Sequence, residues 1–289
     1  MRHHCLPAPA SIVRVNIPMA SPSTPQSVHP VLVGTCGWSY KDWSSVFYPE
    51  DLPDIEFLGY YAERYPVVEV DSTFYHSPSR KLVQGWRDRT PDNFGFSLKV
   101  PQAITHEKIL LNCAKEVDAF IASARVLEKK LKCCLLQFGY FNKKAFATLD
   151  PFLERLDPFL QEWPKDVPLA VEIRNKNWMV PAFLECLRKH NASWALIDQA
   201  WVPSPLSLLK KMDVFTGPIG YVRLLGDRAA VDALTSTLDH IVIDRQDQID
   251  ADAQAIRLLS ERVPVLAFVN NHFAGYSPET IKLLLERLA

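Results

Sequence analysis

No run of apolar residues in this 289-residue chain approaches the roughly 18 that a membrane-spanning helix requires, so no membrane partner is expected. Charge of one sign is also lacking. The 32 Lys and Arg balance 33 Asp and Glu to a formal net charge of −1, which removes any global field toward nucleic acid or an anionic membrane surface. A local basic patch stays compatible with those totals. No G-x-G-x-x-G or Walker A sequence is present to cradle a nucleotide cofactor, and no G-x-S-x-G elbow is present to carry a serine nucleophile. The six cysteines (Cys5, Cys36, Cys113, Cys133, Cys134 and Cys186) form no C-x-x-C pair and no zinc spacing. Most of them sit within apolar runs, the pattern of buried reduced thiols in a cytoplasmic protein. A continuous apolar segment is missing from residues 1–30 too. Their repeated Pro and Ser predict a disordered tail rather than a signal peptide, and Met19 offers a second start position.

What is present is a chain with 48% hydrophobic and 22% charged residues, enough for a sizeable core. From Val31 onward, eight short apolar runs predict strands at 31–36, 67–71, 95–100, 132–137, 169–174, 193–198, 220–224 and 265–270. Helical periodicity separates them at 54–64, 79–89, 113–131, 151–161, 180–190, 249–261 and 278–288, and more weakly at 206–216. Pro158 is expected to kink or divide the 151–161 helix. The basic stretch 125–132 has its charges between core positions and reads as a solvated helix face. Eight alternations of strand and helix close most simply as one α/β domain over 31–289, a single (β/α)8 TIM-type barrel. An open doubly wound sheet is the structural competitor.

Polar residues recur where the apolar runs end, which in a parallel barrel is the face that carries active sites. Lys99, Gln137 and Asp198 close the third, fourth and sixth runs; Glu172 and Arg174 lie in the fifth, and Arg223 in the seventh. Asn270, Asn271 and His272 follow the eighth, while Glu69 and Asp71 lead into Thr73-Phe74-Tyr75-His76. Alternation points Glu172 and Arg174 the same way, as it does Tyr221 and Arg223. Charges inside a barrel need partners or solvent at its mouth, so a functional site and a structural ion-pair network read alike here. Lys99 suits anion binding, proton donation or a Schiff base, or it partners Glu172. His106 is a general acid or base if its loop folds over the mouth, and otherwise a surface or cap residue. Trp38, Tyr40 and Trp178 can line the rim and stack on sugar rings or bases, whereas Trp43 and Phe47 read as loop packing. Glu172, Asp198, Asn271 and His272 could together offer donors to Mg²⁺ or Mn²⁺, although no local spacing demands a metal. Asp71, Glu172 and Asp198 could supply the carboxylate pair of a glycoside hydrolase.

Several of these segments, in order, resemble signatures of one family. They are Gly34-Thr35-Cys36-Gly37-Trp38-Ser39-Tyr40, Phe47-Tyr48-Pro49, Val68-Glu69-Val70-Asp71-Ser72-Thr73-Phe74-Tyr75, and Lys99-Val100-Pro101 with Ile104-Thr105-His106. They continue with Val171-Glu172-Ile173-Arg174 and Trp178, Tyr221-Val222-Arg223 with Gly226, and Val269-Asn270-Asn271-His272. The chain thus resembles the YecE-like family (DUF72), a widespread domain of unknown function with a loose suggested relation to sugar isomerases. The resemblance implies a TIM-type barrel with a polar pocket and implies no particular reaction. One segment departs from the family: its frequent Gln-Leu-Pro-Pro-like turn is replaced by Gln137-Phe138-Gly139-Tyr140-Phe141-Asn142.

Together these features predict a small polar, sugar-like or anionic ligand at the C-terminal face. Lys99, Glu172, Asp198 and His106 would act as catalytic groups, under an isomerase, lyase or hydrolase-type reaction left unassigned. Trp38, Tyr40, Asp71, Tyr75, Gln137, Arg174, Trp178, Arg223, Asn270, Asn271 and His272 would line the site. A nucleic-acid-processing or nucleic-acid-binding protein and a non-catalytic sensor or scaffold are the alternatives. Metal, cofactor and oligomeric state stay open.

Overall fold

The computed structural model describes residues 29–289. Residues 1–28 lie outside it, and with them the expected disordered tail, the Met19 start and Cys5. The chain runs β1 (Val31–Cys36), α1 (Phe57–Ala62), β2 (Val67–Val70), α2 (Arg80–Asp88), β3 (Gly95–Lys99), α3 (Ala114–Ala124), β4 (Leu131–Gln137) and α4 (Asp150–Glu162). It continues with β5 (Leu169–Glu172), α5 (Pro181–Lys189), β6 (Ser193–Gln199), α6 (Pro205–Leu209), β7 (Gly220–Gly226), α7 (Arg228–Asp232), α8 (Gln246–Ser260), β8 (Val265–Val269) and α9 (Ser277–Leu288). All eight strands pair in parallel and in sequence order, and β1 closes on β8 with Val31 opposite Val265 and Thr35 opposite Val269. The predicted barrel is the observed one. Each predicted strand overlaps its counterpart, and the ends differ by no more than two residues.

Closure divides each strand's residues between two cores, because side chains alternate across the sheet. Val68, Leu98, Cys134, Val171, Val222 and Leu224 face outward into the layer beneath the helices. Cys36, Val67, Cys133, Leu135, Ala170, Ala195, Ile197, Tyr221 and Phe268 fill the barrel itself. Cys36, Cys133 and Cys134 are free, buried thiols whose proton affinity burial raises. Trp43 and Phe47 pack in the aromatic cluster of the first loop, where Trp43 is fully buried.

Three helical expectations change. The 113–131 helix ends as α at Ala124 and proceeds as 3-10 turns over Arg125–Lys130, broken by a left-handed Glu128 at φ 53°. The chain must turn there to enter β4, and the buried Lys130 ammonium pins the turn by donating to the Arg87 and Thr90 carbonyls. Pro158 does not divide α4, which is continuous across it. The proline and Glu154, whose carbonyl loses its i+4 donor, both lie on the solvent side of the helix, where water can satisfy that carbonyl. The 206–216 segment forms only the five-residue α6, capped by Ser204. A further short helix, α7, starts at the Asp227 cap after β7, where no periodicity announced it.

The end of β6 carries an unusual outward contact. Ala195 and Ile197 point into the barrel, so Asp198 points away from it, toward α8. There its carboxyl group bears on Asp252, which is 1% exposed and whose two carboxyl oxygens have no hydrogen-bond donor. Two buried carboxyl groups side by side avoid repulsion by sharing one proton. Burial first, and then Asp198, push Asp252 well above the usual carboxylate range; burial also raises Asp198, against the pull of the Arg245 guanidinium. A raised carboxyl pKa in the folded state contributes stability at low pH that is lost as pH climbs through it. Asp252→Asn supplies a permanent donor in the same shape and is expected to stabilise the fold at pH 8 by about 1–3 kcal/mol, an advantage shrinking toward pH 4. Urea denaturation at both pH values measures this. A variant less stable than wild type at pH 8 would contradict the shared proton.

Candidate functional site at the barrel mouth

The deepest polar layer is an ion-pair network inside the barrel. Arg223 of β7 donates from Nε and Nη2 to Glu69 Oε1 of β2, at 3.0 and 2.6 Å. Its Nη1 donates to Glu172 Oε2 of β5 at 2.5 Å. The Tyr221 hydroxyl, two residues earlier on β7, donates to Glu69 Oε2 at 2.5 Å and lies 2.7 Å from Ser97 Oγ of β3. Arg174, just beyond β5, donates from Nε to Glu172 Oε1 at 2.9 Å. Glu69 and Glu172 side chains are 0% exposed and Arg223 is 3% exposed. Burial works against the Arg223 charge, but Glu69 and Glu172 outweigh it and hold the guanidinium protonated. Burial likewise works against charge on Glu172, yet Arg223, Arg174 and Lys99 keep its carboxyl below the usual range.

Above this layer the groups become accessible. Asp71, at the end of β2, places Oδ1 3.6 Å from Arg223 Nη2 and 3.7 Å from Lys99 Nζ, and that oxygen has no hydrogen-bond partner. The Lys99 ammonium lies 4.2 Å from the centroid of the Phe74 ring. His106 sits in a single wide turn over Ala103–Glu107 after β3, with Nδ1 2.8 Å from Thr105 Oγ1 and its ring edge-on to Phe74 at 5.0 Å. Burial, and then the charges of Lys99 and Arg174, lower its proton affinity below that of an ordinary histidine. The turn thus does bring His106 over the mouth. Gln137 is buried at the end of β4, in register with Glu172.

A cavity of about 280 Å³ opens beside Asp71, lined also by Trp38, Tyr40 and Tyr75. The Tyr40 hydroxyl donates to the Cys36 carbonyl at 2.5 Å, and Trp38 packs edge-on against Trp86. Gly37 makes this bend at φ +86°, where a Cβ would press on the Tyr40 ring. A larger cavity of about 390 Å³, between α3 and α4 on the helical exterior, shares no residue with the mouth.

Other predicted site residues are engaged with partners of their own. Asp198 faces α8. Trp178 is 6% exposed and stacks on Phe141 and Phe152, so it packs the fourth and fifth loops rather than lining the rim. Asn270 Oδ1 accepts from the His272 amide, and Asn271 Oδ1 accepts from the Ser277 amide and hydroxyl. His272 Nε2 meets Asp232 Oδ1 at 3.2 Å, tying the turn after β8 to α7. The predicted metal quartet of Glu172, Asp198, Asn271 and His272 is therefore not assembled. Nor is a catalytic carboxylate pair among Asp71, Glu172 and Asp198, because Glu172 has both oxygens engaged and Asp198 faces away. Among the described residues, Cys36, Glu69 and Asp71 do bring ligand atoms within 4.8 Å of one another. Arg223 Nη2 lies 2.6 Å from Glu69 Oε1, 3.6 Å from Asp71 Oδ1 and 4.0 Å from Cys36 Sγ, so a guanidinium already neutralises this donor set. Glu69, Tyr221 and Ser97 were not assigned to the site from sequence, although each lies two residues before an assigned one, on the same face of its strand.

A family model described as "Protein of unknown function DUF72" matches residues 32–289. The chain is 29% identical to the UPF0759 protein YecE of Escherichia coli K12 over 146 residues, 50% of this chain and 48% of that protein. It is 30% identical to the UPF0759 protein YunF of Bacillus subtilis over 168 residues, 54% of each. The chain thus spans about half the length of the curated relatives it matches. A crystal structure of a DUF72 family protein from Thermotoga maritima superposes with a TM-score of 0.70 at 27% identity, covering 89% of this chain and 100% of that one. Another, from Enterococcus faecalis, gives a TM-score of 0.67 at 22% identity over 89% and 95% and shares the fold.

The buried network makes a stability prediction. Arg223→Met strips Glu69 of its only charged hydrogen-bond partner and Glu172 of one of two, and is expected to cost about 3–5 kcal/mol in urea unfolding. Glu69→Gln in the same chain should recover part of that loss. A single variant within about 1 kcal/mol of wild type would show that the network is not sealed from solvent.

Proposed function

The chain belongs to the DUF72 family, and from that premise we propose that its barrel mouth binds or transforms a small polar ligand carrying an anionic group. The observation that carries this is the state of two cations. Lys99 is 13% exposed, yet its ammonium makes no hydrogen bond within the described residues, Asp71 being 3.7 Å away. Arg174 is 27% exposed and commits only Nε to Glu172, which leaves its Nη groups to donate. Cations held this deep favour an acceptor that completes their hydrogen bonding. A phosphate or carboxylate between them would do so. Glu172 then acts as a positioning residue that aims Arg174, since neither of its oxygens is available to move a proton.

His106 is the proton-transfer group in this reading. Thr105 occupies Nδ1, leaving Nε2 on the side of Gly139, where a Cβ would come within 3.7 Å of it. Accepting a proton beside Lys99 and Arg174 is unfavourable until an anion offsets their charge. Ligand binding therefore raises the basicity of His106, and proton transfer waits for the ligand.

NMR titration of His106 tests this without knowledge of the substrate. In the free protein its midpoint should fall below the ordinary histidine value, and inorganic phosphate should raise it. Lys99→Met should also raise the midpoint, because a positive neighbour is removed, and should weaken phosphate binding about tenfold or more. A His106 midpoint indifferent to phosphate, sulfate and carboxylate anions would refute the reading. Anion binding followed by no turnover on any polar substrate would assign the site to a sensor rather than an enzyme.

A further inference from the structure

The cavity beside Asp71 has a composition that the anion site does not require. Its walls are the rings of Trp38, Tyr40 and Tyr75, and Asp71 is its one charged residue. Two of the walls are fixed before any ligand arrives: the Tyr40 hydroxyl is tied to the Cys36 carbonyl, and Trp38 rests against Trp86. Tyr75 is 63% exposed, a large apolar area left in water at the lip of the cavity. At about 280 Å³ the space lies near the lower limit of ligand pockets, room for one ring and its substituents.

We infer that this cavity is a subsite for a polyhydroxylated ring, so that the ligand of the mouth is a sugar bearing a phosphate or carboxylate. The inference rests on the anion reading of Lys99 and Arg174 and deepens it. A sugar ring offers C–H faces to aromatic walls and hydroxyl donors at its edge. Asp71, 31% exposed beside the cavity, is the acceptor for such donors, while its buried Oδ1 is held near Lys99 and Arg223. A flat aromatic ring without donors would gain the walls but leave that carboxylate unmet. Asp71 also fixes how the two parts of the ligand connect. Its Oδ1 stands 3.7 Å from Lys99 Nζ, so the anionic group sits on the ring or one carbon from it, not at the end of a long linker.

Calorimetric titration of the whole chain with matched probes tests the proposal: inorganic phosphate, aldose and ketose monophosphates, uronic acids, neutral hexoses and phenyl phosphate. At least one sugar phosphate or sugar acid should bind tenfold or more tightly than the bare anion, and which of the two does so identifies the anionic group. Tyr75→Ala, at a position 63% exposed and checked for an unchanged unfolding curve, should reduce that sugar's affinity fivefold or more while phosphate binds as before. Asp71→Asn, checked for an unchanged unfolding curve, should also remove most of the sugar's advantage. Equal affinity for sugar phosphates and bare phosphate overturns the subsite while leaving the anion reading intact. An equal gain from phenyl phosphate overturns the sugar assignment in favour of flat rings. Binding of neutral hexoses with none of any anion defeats the anion reading, and the charged-sugar class with it.

Discussion

Arg223, sealed within the barrel, is the residue on which the arrangement of charge above it depends. A guanidinium 3% exposed is tolerable only with compensating carboxylates and a near-complete set of hydrogen bonds. Glu69 and Glu172 supply them from β2 and β5, neither of which is a sheet neighbour of β7. The ladder hydrogen bonds of a parallel barrel link each strand to the next; this network links strands across the interior. It also leaves an imbalance, since two buried carboxylates exceed one guanidinium by one negative charge. Arg174 resolves it by bonding the free oxygen of Glu172 from above. Arg174 is therefore where it is because the interior needs it, and its outer nitrogens reach the mouth as a consequence.

This ordering separates the residues closed within the barrel from those the proposed function assigns to a ligand. Glu69, Glu172, Arg223 and Tyr221 spend their polar atoms on one another and are closed to solvent. Lys99, Arg174, Asp71 and His106 stand one layer higher with donors or acceptors incompletely used. Glu172 in the lower layer is a poor proton carrier, because Arg223, Arg174 and Lys99 hold it ionised in a low-dielectric interior, whereas burial raises the proton affinity of Glu69. In the proposed function the chemistry is left to the upper layer, where the formal charge near His106 changes only when a ligand brings it.

The strands were legible because parallel strands covered on both sides are short apolar runs, and those runs survived in all eight cases. Their ends were less so: β5 stops at Glu172 where the polar run suggested Arg174. Within the site, reading the ends of apolar runs found Lys99, Glu172, Arg174 and Arg223, all of which the structure gathers. It failed for Asp198, because the end of a run says nothing about which face the last residue takes. The alternation that paired Glu172 with Arg174 would have set Asp198 opposite Ile197 and outside the barrel. Asn271, His272 and Trp178 follow their strands in short turns, where neither period applies and direction depends on partners far away in sequence, such as Ser277, Asp232 and Phe152.

His106 shows why the place of a residue outside any strand could still be anticipated, and why its electrostatic surroundings could not. Its position soon after Lys99 placed it near the mouth, but its chemistry depends on a cation from another strand. Arg174 lies 68 residues further along the chain and reaches the same space only because β3, β4 and β5 are consecutive staves of one barrel. Two positive charges then bear on one imidazole, and the interior network holds at least one of them in place. Were Arg174 free to swing into solvent, its charge near His106 would be screened and the coupling between anion binding and proton affinity would fade. The bond from Glu172 prevents that. In the proposed function, the buried Glu172, with both oxygens engaged, is thus what lets the histidine respond to a ligand.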